Sequence, residues 1–428
     1  MKKTVNHILA AGLLALLSLA SCTDEFIEGN DLQGVDRDKR VEVRLPFGVG
    51  RGITTTITTR AAGGEIDYDS QLSGVMAFVY EAKSDNPEEN ELLAYHLFSN
   101  PSNKPLEGAT GGWIADNDDP TCGEIKFYVP VGDVYIYLLG NAQSSFLNFF
   151  PGVSGGDALG TQAEFFEKAT PKWNGNIHSV DGYLPLTGMV NNNTGLCHVN
   201  EQGQISYTDE EGKTHTLLPD GKHDEDNSCV LKRLMSKITM NIREGKGVKF
   251  TARDYTVRHI PHYVSPTAQA WTEEERDRIL VEDAKPVNFG LLDSLTFTIY
   301  LPENIRKVRS GVEITEYRQR DKVVKTADNK NTEETAPDDF HADNADNHKG
   351  HYKFEFAPKA STYIELTGWF ENADKTVAAD VRYYIHLGNF GKDLNHFSVE
   401  RDHHYTYNVT INGVDDIVAV SYTHLPAH

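Results

Sequence analysis

The chain is short of cysteine, tryptophan and methionine: four, four and five respectively among 428 residues. Beyond Cys22 the cysteines are Cys122, Cys197 and Cys229, widely spaced and without a C-x-x-C pair, which argues against a zinc cluster. An exported chain pairs at most two of these three and leaves one over, and the pairing stays open. Packing or a single disulfide is the expected role. Positive charge is also scarce, with 41 basic against 63 acidic side chains and a net charge of −22. A chain this acidic is not built for non-specific nucleic-acid binding. Past the first twenty residues no apolar run is long enough to span a bilayer as a helix. His-Glu-x-x-His is missing, and Gly245-Lys246-Gly247 lacks the rest of a phosphate-loop pattern. No catalytic constellation, cofactor motif or metal site emerges, and the expectation is a protein that is not an enzyme.

What is present begins at the first residues. Lys2 and Lys3 precede a short apolar stretch from Ile8 to Leu19, and Leu19-Ala20-Ser21-Cys22 closes it. A basic start, a brief apolar core and small residues at the cleavage position make a secretory signal, too short for a membrane span. The ending resembles the cleavage box of bacterial lipoproteins, which implies lipidation at Cys22. Asp24 and Glu25 resemble the surface-export tag of Bacteroidales lipoproteins. Everything downstream is therefore expected outside the cytoplasm.

Glycine (35), tyrosine (19) and phenylalanine (19) are plentiful, as in β-structure with many turns. Residues 23–40 are polar and read as a tether. Val41, Val43, Leu45 and Phe47 then alternate with Glu42 and Arg44, the period of a strand. A further strand is expected over Ile53–Thr59, followed by Arg60-Ala61-Ala62-Gly63-Gly64. Val75, Ala77 and Val79 alternate, as do Ile125, Phe127 and Val129, while Val134 to Leu139 reads as a strand buried on both faces. Residues 161–169 suggest a short helix. Tyr183–Met189, with Pro185 and Gly188, reads as a bulged or edge strand. Residues 191–228 read as a long loop with a possible hairpin near Ile205 and Tyr207.

A second β-rich block starts near Cys229. Its strands are marked by Ile238-Met240-Ile242, Val248–Val257, Phe297-Ile299-Leu301, Tyr352-Phe354-Phe356, Ile364-Leu366, Val381-Tyr383-Ile385-Leu387 and Tyr405-Tyr407-Val409-Ile411. Thr272 and Glu275 have capping-box spacing before Ile279 and Leu280, predicting one helix. Residues 326–350 are polar and read as a surface loop. Many short alternating strands and few short helices predict an all-β protein of two tandem β-sandwiches. The expected divisions are 1–22 (signal), 23–60 (tether and first strand), 61–228 and 229–420 (two sandwiches) and 421–428 (a doubtful tail).

The chemical candidates are weak. His223-Asp224-Glu225-Asp226 reads as a solvated loop rather than a metal site. His403 and His404 are adjacent on a strand and so point to opposite faces. Trp113, Trp173, Trp271 and Trp369 are scattered. Exposed, they would stack on sugars; buried, they would pack the sandwiches, and packing is the expectation.

Several segments, in order, resemble a family. They are the box at Cys22, the alternating strand after it, Thr59-Arg60-Ala61-Ala62, Leu231–Met240, Tyr300–Asn304, Tyr384–Gly388 and His404–Ile411. Together they resemble the fimbrillin-like lipoproteins of Bacteroidales, the subunits and accessory proteins of type V pili. The resemblance implies two transthyretin-like, Greek-key sandwiches and export to the outer membrane through a lipid at Cys22. It implies cleavage by an arginine-specific protease after Arg60, before Ala61, with Arg51 as second choice. Cleavage would release the strand of Val41, Val43, Leu45 and Phe47, and a strand from another fimbrial subunit would fill the groove. The expected location is the cell surface and fimbrium, and the expected role is non-catalytic: stalk, tip or anchor. The alternative is a glycan-binding surface lipoprotein that keeps its lipid. Ser421–His428 does not alternate convincingly as a donor strand, and the natural chain is expected to continue beyond it.

Overall fold

The computed structural model describes residues 39–50, 71–101, 109, 111–116, 121–142, 147–148, 160–168, 172–178, 183–192, 194–218, 227–266, 280–291, 295–306, 308, 312–325, 340–341, 351–415 and 417–424. The first half holds β1 (Arg40–Val49), β2 (Gly74–Glu81), β3 (Leu92–Ser99), β4 (Trp113–Ala115), β5 (Cys122–Pro130), β6 (Gly132–Gly140), β7 (Leu147–Asn148), helix α1 (Gln162–Lys168), β8 (Lys172–Trp173), β9 (Leu186–Met189), β10 (Leu196–Val199), β11 (Ile205–Thr208), β12 (Thr214–Thr216) and β13 (Cys229–Arg233). The second half holds β14 (Met235–Glu244), β15 (Val248–Arg258), β16 (Ile260–Pro261), β17 (Val281–Glu282), β18 (Val287–Asn288), β19 (Thr296–Pro302), helix α2 (Tyr317–Arg320), β20 (Val323–Lys325), β21 (Phe340–His341), β22 (His351–Phe354), β23 (Tyr363–Asn372), β24 (Ala378–His386), β25 (His404–Ile411) and β26 (Ile417–His424). The fold is all-β, in two sandwich-like halves, as the alternation predicts.

Strand β6 is the hub of the first half. One edge pairs along its length with β2, which also pairs β3. The other edge is shared, with β10 on Gly132–Tyr135 and β9 on Tyr137–Gly140. From β9 the pairing continues through β13, β1 and β5 to β4. The run predicted to be buried on both faces is this hub, with Val134, Ile136, Leu138 and Leu139 at most 1 % exposed. In the second half the sheets β19-β14-β25-β26 and β18-β15-β23-β24 face each other. Ile238, Met240, Tyr255, Val257, Ile364, Leu366, Tyr405 and Tyr407 fill the space between them.

Two expectations change. Leu186–Met189 is an interior strand, between β6 and β13, not an edge. Its glycine serves close packing rather than a bulge: a Cβ on Gly188 would lie 2.9 Å from both Leu231 Cδ2 and the Val230 carbonyl oxygen. Residues 191–228 are less of a loop than expected: the hairpin expected near Ile205 and Tyr207 is present as β11, and its partners β10 and β12 extend the sheet on either side. Strand β13 pairs with β1 and β9 of the first half, and sheet membership changes at Leu234.

Helix α1 begins as predicted, and the reason is local. Thr161 Oγ1 accepts the Glu164 amide at 3.2 Å, and the Glu164 carboxylate accepts the Thr161 amide at 3.1 Å, a reciprocal capping box. The similar spacing at Thr272 and Glu275 lies outside the described residues, as do Ile53–Thr59. Below α1, residues 172–178 reach the second half. The Trp173 amide donates to His262 O at 2.9 Å, and Ile177 O accepts the Tyr300 amide at 2.9 Å. Trp173 and Ile177 share one apolar cluster with Ile260 and Ile299, so the halves are joined by a packed seam.

Candidate functional site

Strand β1 occupies a slot in the interior of the first-half sheet. It runs antiparallel to β5, from Arg40 opposite Pro130 to Gly48 opposite Cys122. On its other edge it runs parallel to β13, with Phe47, Gly48 and Val49 opposite Cys229, Val230 and Leu231. Pro46 has no amide hydrogen to donate, and the β13 ladder starts one residue after it. The period-two pattern does its expected work: Val43, Leu45 and Phe47 are completely buried, Glu42 is exposed and Val41 is half-buried. Burying those three side chains contributes on the order of 5–9 kcal/mol. Phe47 meets the Trp113 ring edge-to-face at 4.9 Å.

The polar contacts of β1 sit along one wall and at its ends. Arg44 Nε donates to Glu124 Oε2 at 2.8 Å, and Nη2 lies 2.5 Å from the same oxygen. Glu124 is buried on β5, so β1 supplies the cation that a buried carboxylate requires. At the start of the strand, exposed Lys39 meets Glu201 at 2.5 Å. Gly203, in the β10–β11 turn, has φ +75°, and a Cβ there would lie 2.1 Å from the Glu42 carbonyl oxygen. Only glycine lets this turn lie against the strand. At the far end the Gly50 amide donates to Leu231 O at 2.8 Å. The Gly50 carbonyl accepts Arg233 Nη1 at 2.7 Å, and the same nitrogen lies 2.7 Å from Asp402 Oδ1. Burial holds the Asp402 carboxyl above its ordinary pKa, with Arg233 opposing that shift.

Of the residues singled out in the sequence, Val41, Val43, Leu45 and Phe47 come together here. Cys22, Arg51, Arg60 and Ala61 lie outside the described residues. Cys122 and Cys229 stand on the two walls of the slot, and Cys197 shares the core of Cys229. All three are buried free thiols, so packing rather than a disulfide is their role in this structure. Burial pushes the thiols of Cys197 and Cys229 far up, which leaves them unreactive.

His403 Nδ1 bonds Arg401 O at 2.7 Å, whereas His404 Nε2 bonds Thr239 Oγ1 at 3.0 Å, so the adjacent histidines do not converge. His223–Asp226 lie outside the described residues. Among the described residues no group of three or more His, Cys, Asp or Glu side chains is placed to hold a metal ion. Gly152-Val153-Ser154-Gly155-Gly156 has the Gly-x-Ser-x-Gly spacing and also lies outside the described residues. Trp173 is 2 % exposed and donates Nε1 to Asn176 O, while Trp369 on β23 is 42 % exposed. Trp271 lies outside the described residues.

Sequence reasoning missed Arg233 and Asp402. One signal was there: Arg233 has the strand parity of Cys229 and Leu231, an arginine on the core side of an apolar run.

These features define an all-β protein of two sandwich-like halves whose first described strand fills an interior slot. Residues 299–409 match a family described as a domain of unknown function (DUF4906). No curated protein sequence matches the chain. In fold the chain is similar to the tip fimbrial protein Mfa3 of Porphyromonas gingivalis with C-terminal truncation. That likeness has 14 % identity and a TM-score of 0.45, covering 90 % of this chain and 99 % of that one. It is also similar to a fimbrilin (fimA) of Porphyromonas gingivalis, with 10 % identity and a TM-score of 0.44, covering 89 % and 96 %.

Proposed function

We propose that this chain is a non-catalytic fimbrial subunit or accessory adhesin that exchanges its β1 for a strand of a neighbouring subunit. The observation that carries the proposal is the slot itself. A strand with three fully buried side chains, paired on both edges, is followed by a segment, 51–70, that contains Arg51 and Arg60. Cutting after Arg60, or after Arg51, frees β1 from the rest of the chain. Its departure uncovers two strand edges and an apolar trough, which is costly until another strand fills it. Main-chain hydrogen bonds to β5 and β13 would then hold the newcomer, and alternate side chains would enter the sites of Val43, Leu45 and Phe47.

In this reading the signal at residues 1–22 exports the chain. A lipid on Cys22 tethers it to the outer membrane, and an arginine-specific protease releases both lipid and β1 at the cell surface. The partners are other fimbrial subunits, and the location is the fimbrium. The glycan-binding alternative relies on exposed tryptophans and tyrosines; Trp113 and Trp173 are engaged in packing, while exposed Tyr128 and Trp369 stand on different strands, β5 and β23, one in each half. The slot favours the fimbrial reading.

The test is to treat the purified full chain with an arginine-specific protease and follow its mass and size distribution. The expected result is a single early cut at Arg60 or Arg51, loss of the N-terminal fragment that carries residues 40–50 and growth of higher oligomers. A chain that is cut but keeps β1 and stays monomeric would contradict the proposal.

A further inference from the structure

The exit end of the slot is built differently from the rest. Along Val43–Phe47 the strand is held by apolar burial on one face, which any alternating apolar segment can supply, and by the ion pair of Arg44 with Glu124 on the other. At Gly50 it meets a buried ion pair. Arg233 is 1 % exposed, and its Nη1 bridges the Gly50 carbonyl oxygen and Asp402 Oδ1, both at 2.7 Å. The Arg233 amide also points to Asp402 Oδ1 at 3.3 Å, and the Asp402 amide donates to Met235 O at 3.1 Å. Asp402 itself sits at φ +58°, in the left-handed region that Asp and Asn adopt more readily than other L-residues. Asp402 belongs to the loop before β25, so the strand end in the first half is read by a residue of the second.

Space is limited here too. A Cβ on Gly50 would lie 3.1 Å from Asp402 Oδ2, 3.3 Å from Val230 Cγ1 and 3.4 Å from Leu231 O. A Cβ here makes the Asp402 carboxylate or Val230 give by a few tenths of an ångström, and a branched side chain asks for more, at the expense of the Arg233 contact or of the backbone's seat on β13. Shifting the strand by one residue toward β2 would bring bulky Val49 to that point. It would also turn Val43, Leu45 and Phe47 away from the core, because side chains alternate between faces.

We infer that Arg233 and Asp402 form a register stop for the slot, accepting only a strand that places glycine and its free carbonyl at the Gly50 position. The occupant is a strand running parallel to β13, whether β1 or, on the reading proposed above, the strand of a neighbouring subunit. The apolar trough supplies affinity; the stop selects register and sequence.

Two measurements test this on the full chain. In intact protein, hydrogen exchange is compared among wild type, Gly50→Val and Arg233→Lys. Exchange at Val49 and Gly50 (residue 50 in either variant) is expected to rise about tenfold or more in both variants, while Val43 and Leu45 stay protected. Unchanged protection at 49 and 50 in both variants would overturn the stop. The second measurement uses chain treated with arginine-specific protease, after protease removal. It is given fluorescent peptide of residues 40–50 in its native form and with Gly50→Val. Native peptide is expected to bind at least about tenfold more tightly, and that preference is expected to collapse on Arg233→Lys protein. Equal binding of both peptides overturns the selection. Failure of either peptide to bind, with the exchange result standing, contradicts strand replacement while leaving the stop in the intact chain.

Discussion

Strands β1 and β14 hold the same place in their two halves. Each lies between one antiparallel and one parallel neighbour: β5 and β13 around β1, β19 and β25 around β14. Each also turns an alternating apolar face to a core, Val43-Leu45-Phe47 in one and Ile238-Met240-Ile242 in the other. They differ in how they are tied. The parallel ladder of β14 spans Lys237–Glu244 opposite His404–Ile411, whereas that of β1 covers only Phe47–Val49. Leu234 alone separates β14 from β13, and Gly245–Gly247 join it to β15, while residues 50–73 separate β1 from β2. Pairing and burial therefore do not make a strand removable. On the reading proposed above, the length and chemistry of the covalent connection decide it, and the connection after β1 carries Arg51 and Arg60.

The sharpest way to break this comparison is to place a charge in each strand. Ile238→Asp buries an unpaired carboxylate in a strand that cannot leave, a cost of several kcal/mol, so no soluble folded chain is expected. Leu45→Asp is expected to expel β1 instead, leaving the second half folded. Protease mapping with near-UV circular dichroism separates the outcomes, and equal loss of both halves would erase the difference between the strands. A smaller change sharpens it. Phe47→Ala is expected to lower the opening free energy of β1 by about 3–5 kcal/mol. Native-state hydrogen exchange should register that loss in β1 and β5 but not in β23 or β25.

Acid should act on the other half and the seam. Burial lowers the pKa of His259, to about 4, and also lowers those of His178 and His386. A histidine of lowered pKa binds fewer protons folded than unfolded. Its contribution is full above the unfolded value near 6.5 and is lost as pH falls toward about 4. For His259 the loss is on the order of 3 kcal/mol. His178 bonds Tyr255 across the seam, so thermal unfolding between pH 6.5 and 4 should loosen the second half and seam first. His259→Asn, which tolerates the φ of +57° at that position, should flatten part of this dependence. A pH profile identical in wild type and variant would contradict the assignment. The smallest expected effect is at the mouth of the slot. Lys39→Ala removes an exposed ion pair and should leave the melting temperature unchanged within error.

Most of the slot was legible in the sequence because burial on one face writes period two directly. Val41–Phe47, Ile125–Val129 and Tyr405–Ile411 all became strands with the expected faces inward. What stayed hidden is non-local. Nothing in Cys229–Arg233 says that it will lie parallel to β1, and of the short strands β10–β12 only β11 stands out in the sequence, through Ile205 and Tyr207. The contact of Arg233 with Asp402 joins residues 169 positions apart, and only the core-side parity of Arg233 hinted at it. Leu186–Met189 looked like an edge because Pro185 and Gly188 weaken strands. In the fold Pro185 precedes the ladder, and Gly188 is the spacer that lets β13 approach.

The most direct test of the central claim is the N-terminal residue of the mature protein recovered from the cell surface, read by sequencing and intact mass. The account predicts a start at Ala61, or at Gly52 if Arg51 is used, with β1 gone. A mature chain that begins at acylated Cys22 and still carries residues 40–49 would contradict it.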